Sequence, residues 1–309
     1  MVLTTFKQCY KCTQLIEDEA IIVEGLHAPC FCDWFQVSST ETFKNIIART
    51  SKKSSDDWAF ITSSFFHGKF RKYSADLGSK NYLLKVQEED FSELPAMEYL
   101  CNQIARHLGL WVPDHFFIRF QNEIDTFACE NFMQNYPGAN LVHIYRFLER
   151  PDQFSCEGLL RVLEKEVKKP GDIHRFVTLC LFDSFIGNHD RHGRNLGLIQ
   201  FGNETTLAPF YDNLSYLALE HPRLLGAQHE PRGAIATKET KEPSMRDYVK
   251  EWLRLGFSDP IREFQKRLDL EKIHALIRDS FVSQKRKQAL IDLSKRRYEE
   301  LCNATQKLW

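Results

Sequence analysis

The sequence predicts a two-lobed α+β protein, with antiparallel strands and one helix in the N-terminal half and helices in the C-terminal half. Three observations point there. The chain has 309 residues, 43% of them hydrophobic, and that length exceeds the size at which a single core keeps growing, so two lobes are expected. Between Trp58 and Cys129 short apolar runs alternate with turn residues, the texture of strands. Beyond Pro137 apolar residues recur at helical spacing almost to the C-terminus.

The opening segment has its own character. Cys9 and Cys12 form Cys-x2-Cys, fourteen residues follow, and His27 and Cys30 form His-x2-Cys, with Cys32 close behind. Three thiolates and an imidazole suit tetrahedral Zn²⁺, and so small a segment can use a metal in place of a core. Reduced cysteines packed as small hydrophobes fit the same residues, and spacing leaves both readings open. The polar run Arg49–Asp57 reads as an exposed loop joining two units.

A strand-rich stretch over residues 59–75, a turn at Asp76–Lys80 and the apolar strand Tyr82–Val86, which carries Lys85, form an expected hairpin. Ala96–Leu108 has helical spacing and stops at Gly109. Strands at Phe116–Phe120 and Thr126–Cys129 complete a sheet with one helix. Helices are then expected near 157–167, 174–187, 245–255, 260–278 and 283–308, interrupted by a breaker-rich stretch over 221–243. The last helix carries two basic clusters, but Asp292, Glu299 and Glu300 are interspersed, as on a solvated face.

Composition excludes several classes. With 41 basic and 42 acidic side chains the net charge is −1, which argues against a general nucleic-acid binder but leaves room for a local basic patch; no direct sequence-specific nucleic-acid binding is expected. No run approaches the ~20 apolar residues of a membrane span, and the opening lacks the basic-then-apolar pattern of a secretory signal. Nine cysteines are an odd number, and Cys101, Cys129, Cys156, Cys180 and Cys302 lie in apolar-rich segments. Reduced thiols in a cytoplasmic setting are the expectation.

The chemistry concentrates in two strings. Residues 182–199 run from an apolar helix through Asn-His-Asp-Arg-His-Gly-Arg-Asn into a short apolar strand, and residues 207–213 follow with Leu-Ala-Pro-Phe-Tyr-Asp-Asn. Asp190 and Asn195 stand five apart, and Asp212 comes twenty-two residues after Asp190. Protein kinases arrange a catalytic Asp, a metal-binding Asn and a second metal-binding Asp in this order. Hard Mg²⁺ wants oxygen ligands, a substrate hydroxyl needs a carboxylate at hydrogen-bond range, and Lys85 offers a cation for the nucleotide phosphates. A structural alternative has Asp190 capping a turn and pairing with Arg191 or Arg194. A second chemistry also uses His-Asp pairs: metal-dependent phosphohydrolases of the HD type, imitated here by His174, His189, Asp190 and Asp212. A third reading is a nucleotide-binding module that has lost turnover.

These strings resemble those of the HipA-like serine/threonine kinases, toxin components of bacterial toxin–antitoxin systems, and especially the compact HipT type of three-part HipBST loci. Supporting likenesses are the Cys9–Cys30 opening, the Tyr82–Val86 strand, the Leu94–Glu98 helix start and the Glu130–Phe132 hinge. The resemblance implies a bilobal protein-kinase-like fold, ATP and Mg²⁺, and phosphorylation of a cytoplasmic translation protein such as an aminoacyl-tRNA synthetase. It also implies antitoxin partners of the HipB and HipS kinds. It makes Asp190 the base, Asn195 and Asp212 the metal ligands, and Lys85 the phosphate lysine. His192 and Tyr211 would lie at the nucleotide, with Glu130 and Phe132 at its adenine edge.

It also assigns Ser64, Phe65, Phe66, His67, Gly68 and Lys69 to the nucleotide loop, where this chain departs from the family pattern. The glycine expected at Phe65 is missing and Gly68 sits late, although a backbone that approaches phosphates favours glycine. HipA-like kinases phosphorylate a serine in this loop, so Thr62, Ser63 and Ser64, with Ser54 and Ser55 upstream, are the autophosphorylation candidates. The expected organisation is a Cys-rich piece over 1–50, an N-lobe over 51–134 and a helical C-lobe over 135–309.

Overall fold

The computed structural model describes residues 8–17, 20–49, 71–226 and 232–306. The expected nucleotide loop (Ser64 to Lys69) and the candidate hydroxyls of Ser54, Ser55, Thr62, Ser63 and Ser64 lie outside them.

The N-terminal lobe is built on one antiparallel sheet. Its strands are β3 (Lys44–Arg49), β4 (Arg71–Leu77), β5 (Lys80–Val86), β6 (His115–Phe120) and β7 (Ile124–Glu130), in the order β3-β4-β5-β7-β6. β3 extends this sheet from within the Cys-rich opening, and its Lys44, Ala48 and Arg49 pair with β4. The hairpin turn is tighter than the Asp76–Lys80 span expected, since only Gly78 and Ser79 separate the strands. Alternation along β5 turns Tyr82 and Leu84 to one face and Lys85 to the other. Helix α2 (Leu94–His107) covers the Lys85 face, where its Tyr99 stacks on Phe117 at 5.8 Å. Pro95 opens this helix, where a missing N–H costs nothing.

The opposite face is covered by the opening segment, which holds a two-residue hairpin, β1 (Ile22–Val23) and β2 (Leu26–His27), and helix α1 (Ala28–Phe35). Phe35 packs on Phe116 at 4.5 Å and Tyr82 at 5.6 Å. The same segment closes the β6 edge: Arg119 N donates to the Glu24 carbonyl at 2.8 Å, and Gly25 N to Asn122 Oδ1 at 2.8 Å. An uncovered edge invites pairing with other chains. Gly25 has φ +76°, and a Cβ there would lie 2.6 Å from the Arg119 Cβ, so the turn needs glycine on both counts.

The C-terminal lobe is mainly helical: α3 (Cys156–Glu166), α4 (Pro170–Ile186), α5 (Met245–Arg254), α6 (Ser258–Arg267), α7 (Leu270–Asp279) and α8 (Gln284–Thr305). Its core gathers Phe176, Phe182, Phe185, Tyr248, Trp252 and Phe264, all 1% exposed or less. Two expectations need correction. Residues 260–278 are two helices, because Asp269 caps α7 by accepting from Lys272 N at 3.2 Å. The half expected to be helical also holds a three-stranded sheet, in which β8 (Asn140–His143) and β10 (Glu204–Leu207) flank β9 (Gly197–Phe201). Among the described residues no helix is long and apolar enough to cross a membrane.

Candidate active site

The two lobes enclose a cleft of about 570 Å³. The N-terminal wall comes from β4, β5, β7 and α2. The C-terminal wall comes from the loop 188–195 after α4 and the segment after β10. Helix α4 ends on Gly187, whose left-handed φ of 69° turns the chain into that loop. Gly193 lets the loop pack closely, since a Cβ there would meet the Tyr145 Cβ at 2.7 Å.

Lys72 and Lys85 are direct cross-strand neighbours, a pairing of like charges that needs an anion between them. Asp212 supplies it. Its Oδ1 accepts from Lys85 Nζ and lies 3.9 Å from Lys72 Nζ. Burial would raise the Asp212 pKa, but Lys72 and Lys85 outweigh it and hold the carboxyl far below the usual carboxylate range. Lys85 also donates to Glu98 Oε1 from α2. Burial disfavours the ammonium, yet Asp212 and Glu98 keep it charged. Glu98 is 1% exposed, its pKa is raised by that burial against the pull of Lys85, and its Oε2 has no hydrogen-bond partner among the described residues. Asp212 sits at φ +54°, a left-handed conformation that for a non-glycine residue marks stored strain.

Asp190 is 7% exposed on the cleft floor. Its backbone N donates to Asn188 Oδ1 at 3.1 Å and its carbonyl accepts from Asn195 Nδ2 at 3.0 Å. With its nitrogen held there, Asn195 keeps Oδ1 as the oxygen for a cation. Both protein cations at Asp212 fall on Oδ1, which leaves Oδ2 for the same purpose. An amide oxygen and an ionised carboxylate oxygen are the donors that Mg²⁺ prefers, so this pair fits the ion. His192 Nε2 lies 3.9 Å from Asp190 Oδ2, and His192 Nδ1 accepts from Arg194 N at 3.2 Å.

Tyr211 stacks on Phe132 at 6.0 Å, and its hydroxyl donates to the Arg194 carbonyl at 2.9 Å. The Glu130 carboxylate is committed to Lys80 at 2.7 Å and Gln134 at 2.8 Å. The Glu130 side chain is thus occupied, and its segment meets the cleft through its backbone and the side chains of Phe132 and Met133.

Arg191, offered by the sequence as a partner of Asp190, has a role that sequence reading missed. It is fully buried and does not pair with Asp190. Its Nε and Nη2 grip Asp183 of α4 at 2.7 and 2.8 Å, Nη1 donates to the carbonyls of Asn195 and Tyr211, and Nη2 donates to Asn213 Oδ1 at 2.6 Å. Asn213 in turn donates to Asn102 Oδ1 of α2 at 3.0 Å. One guanidinium thus ties the Asp190 loop to the Asp212 segment. A signal for it existed: Asp183 is a carboxylate in the otherwise apolar last turns of its helix, and a buried charge needs a partner.

The HD-type constellation is not assembled. His174 packs its ring against Phe257 at 6.2 Å, and His189 bonds the Arg232 carbonyl at 2.8 Å. The potential metal-ligand cluster that the described residues do bring together is Cys9, Cys12, His27 and Cys30, none of which lines this cleft.

The model of the HipA-like C-terminal domain matches residues 61–284, most of the chain. The chain belongs to the HipA-like family. Among relatives of this HipA-like chain, the serine/threonine-protein kinase CtkA of Helicobacter pylori is 25% identical over 227 residues, 62% of the chain and 66% of that protein. The putative kinase Y4dM of Sinorhizobium fredii is 25% identical over 181 residues, 52% of the chain and 44% of that protein. The chain thus spans from under half to about two thirds of the curated relatives it matches. In fold it is similar to the crystal structure of the H. pylori proinflammatory kinase CtkA, with TM-score 0.64 and 18% identity over 77% of the chain and 95% of that structure. It is also similar to HipA of Shewanella oneidensis, solved with HipB and operator DNA, with TM-score 0.52 and 15% identity over 94% and 74%. The fold is the bilobal kinase-like one.

Proposed function

We propose that the chain is an ATP-dependent protein serine/threonine kinase of the HipA toxin type. One observation carries this reading: a buried Lys85–Glu98–Asp212 ion-pair cluster shares a cleft with Asp190 and Asn195. Phosphoryl transfer asks little covalent chemistry of a protein and much positioning. In this reading Lys85, held by Glu98, turns from Asp212 toward the nucleotide phosphates. Asn195 Oδ1 and Asp212 would hold Mg²⁺, which when bound neutralises phosphate charge. Asp190 takes the proton of an incoming serine or threonine hydroxyl, and the Glu130–Phe132 backbone with the Tyr211 ring flanks the adenine.

The finer proposals follow from family membership. The substrate is a translation protein such as an aminoacyl-tRNA synthetase, and the partners are HipB- and HipS-like antitoxins. The kinase modifies its own loop at Thr62, Ser63 or Ser64, or at Ser54 or Ser55. Cytoplasmic residence goes with that substrate.

Labelled ATP with the purified chain and a lysate tests the activity. Asp190→Asn should lower transfer at least 10²-fold, the usual worth of a positioned base, while nucleotide affinity stays within roughly tenfold, about 1.4 kcal/mol. Full transfer by that variant would sink the mechanism.

A further inference from the structure

We propose that Cys9, Cys12, His27 and Cys30 hold one structural Zn²⁺ ion, and that closing this site fixes Tyr10 as an aromatic wedge in the seam between the lobes. The four ligand atoms already lie within 4.8 Å of one another. Zn–S bonds of about 2.3 Å and Zn–N bonds of about 2.0 Å put tetrahedral ligands roughly 3.3–3.8 Å apart. Cys12 Sγ and His27 Nδ1 stand at 3.4 Å, so Nδ1 is the coordinating nitrogen. Three thiolates and one imidazole in a closed set select zinc over the hard cations, which want oxygen. Cys32 lies outside the cluster.

Two short elements present the ligands, and neither is stable alone. The first is a tight turn in which Thr13 N donates to the Cys9 carbonyl and Cys9 N to the Gln14 carbonyl, both at 2.9 Å. The second is the β1–β2 hairpin running into α1. His27 stands at the N-cap and Cys30 in the first turn, after Pro29. A two-residue hairpin and an eight-residue helix are each too short to persist in water. A metal shared between them supplies the missing cross-link, as in small zinc modules that fold on their ion.

The consequence for the rest of the molecule lies in Tyr10, between the first two ligands. It is 7% exposed. Its ring contacts Phe117 of β6 at 4.5 Å and Phe281, between α7 and α8, at 4.7 Å. Its hydroxyl donates to Asp125 Oδ1 at 2.6 Å and accepts from Arg119 Nη2. Phe117, Asp125 and Arg119 belong to the N-terminal lobe and Phe281 to the C-terminal lobe, so the zinc turn inserts one ring between the two. This inference does not rest on the kinase reading.

Elemental analysis of the full chain, purified without chelator, should find one zinc per chain. Cys32→Ser should keep it and Cys12→Ser should lose it. Where Cys12→Ser does not fold, thiol titration of the wild type decides: a strong zinc chelator should expose three additional reactive thiols, and an unchanged thiol count with zinc far below one per chain would overturn the site. Chelation should also lower the unfolding midpoint by roughly 5 °C or more. In Tyr10→Ala, zinc content should remain one per chain and chelation should shift the midpoint much less. An equal shift in both proteins would overturn the wedge.

Discussion

Arg191 fixes the distance between groups it never exposes to a ligand. Burial disfavours its charge, but Asp183 holds it ionised. Removing one partner of a buried pair leaves the other uncompensated, at about 3–5 kcal/mol. Arg191→Met should therefore lower unfolding free energy by that order in denaturant titration, and Asp183→Asn combined with it should cost less than the sum of the two. Arg191→Lys keeps the charge but not the planar fork that spans Asp183, Tyr211 and Asn213, so it should fold yet place Asp212 poorly. At Asp212 itself, substitution by Ala should remove the Mg²⁺-dependent part of ATP stabilisation while leaving Lys72 and Lys85 to attract the phosphates. Thermal shifts with ATP alone and with Mg²⁺-ATP check this; a normal Mg²⁺ increment would reject Asp212 as a ligand. Residue types at fixed spacing put Asp190, Asn195 and Asp212 forward as one set, and the three line one cleft. The roles of Glu98 and Arg191 were not legible, because their partners lie thirteen residues upstream and eight residues upstream on different elements.

Elements were legible where one face repeats. Helix α2 and strands β5, β6 and β7 stand within a few residues of their predicted spans because alternation and helical periodicity are local signals. Strand β8 was not, since Asn140–His143 is four residues long and takes its order from β9. The α6–α7 break hid because an Asp in a helical pattern reads as a surface position until its cap bond is seen. Between α2 and the sheet, burial opposes the charge of His115, 3% exposed, and its pKa falls to about 4 despite a bond to the Pro113 carbonyl at 2.9 Å; Arg106 adds repulsion. The unfolded chain then binds the extra proton first, so stability should be full above pH 6.5 and fall as pH drops through 4. The loss is on the order of 3 kcal/mol. His115→Gln should flatten that part of the curve of melting temperature against pH, and an unchanged slope would assign the acid sensitivity elsewhere.

At the scale of the whole molecule the lobes touch at several places among the described residues, including Phe210 N on the Trp111 carbonyl and Arg267 on the Leu108 carbonyl. Two further contacts bear on the site. One is the cleft, where Lys85 reaches Asp212 and Asn102 accepts from Asn213. The other is a seam in which Glu93, just before α2, accepts from Ser283 N and Ser283 Oγ and pairs with Arg286 at 2.9 Å. Partners 190 residues apart leave no periodic trace, so this seam could not be read from sequence. Both contacts act on α2: Glu93 fixes its start, and Glu98, one turn later, steadies Lys85. Loosening the seam should therefore be felt at the nucleotide. Glu93→Ala removes the acceptor of two Ser283 hydrogen bonds, each worth about 1 kcal/mol net, and the ion-pair partner of Arg286. It should weaken ATP binding roughly 5- to 10-fold, about 1–1.4 kcal/mol of coupling. Direct titration of nucleotide into Asp190→Asn and into Asp190→Asn/Glu93→Ala reads this without turnover. Equal affinities would show that the seam only adds stability and that α2 holds Lys85 without help from the C-terminal lobe.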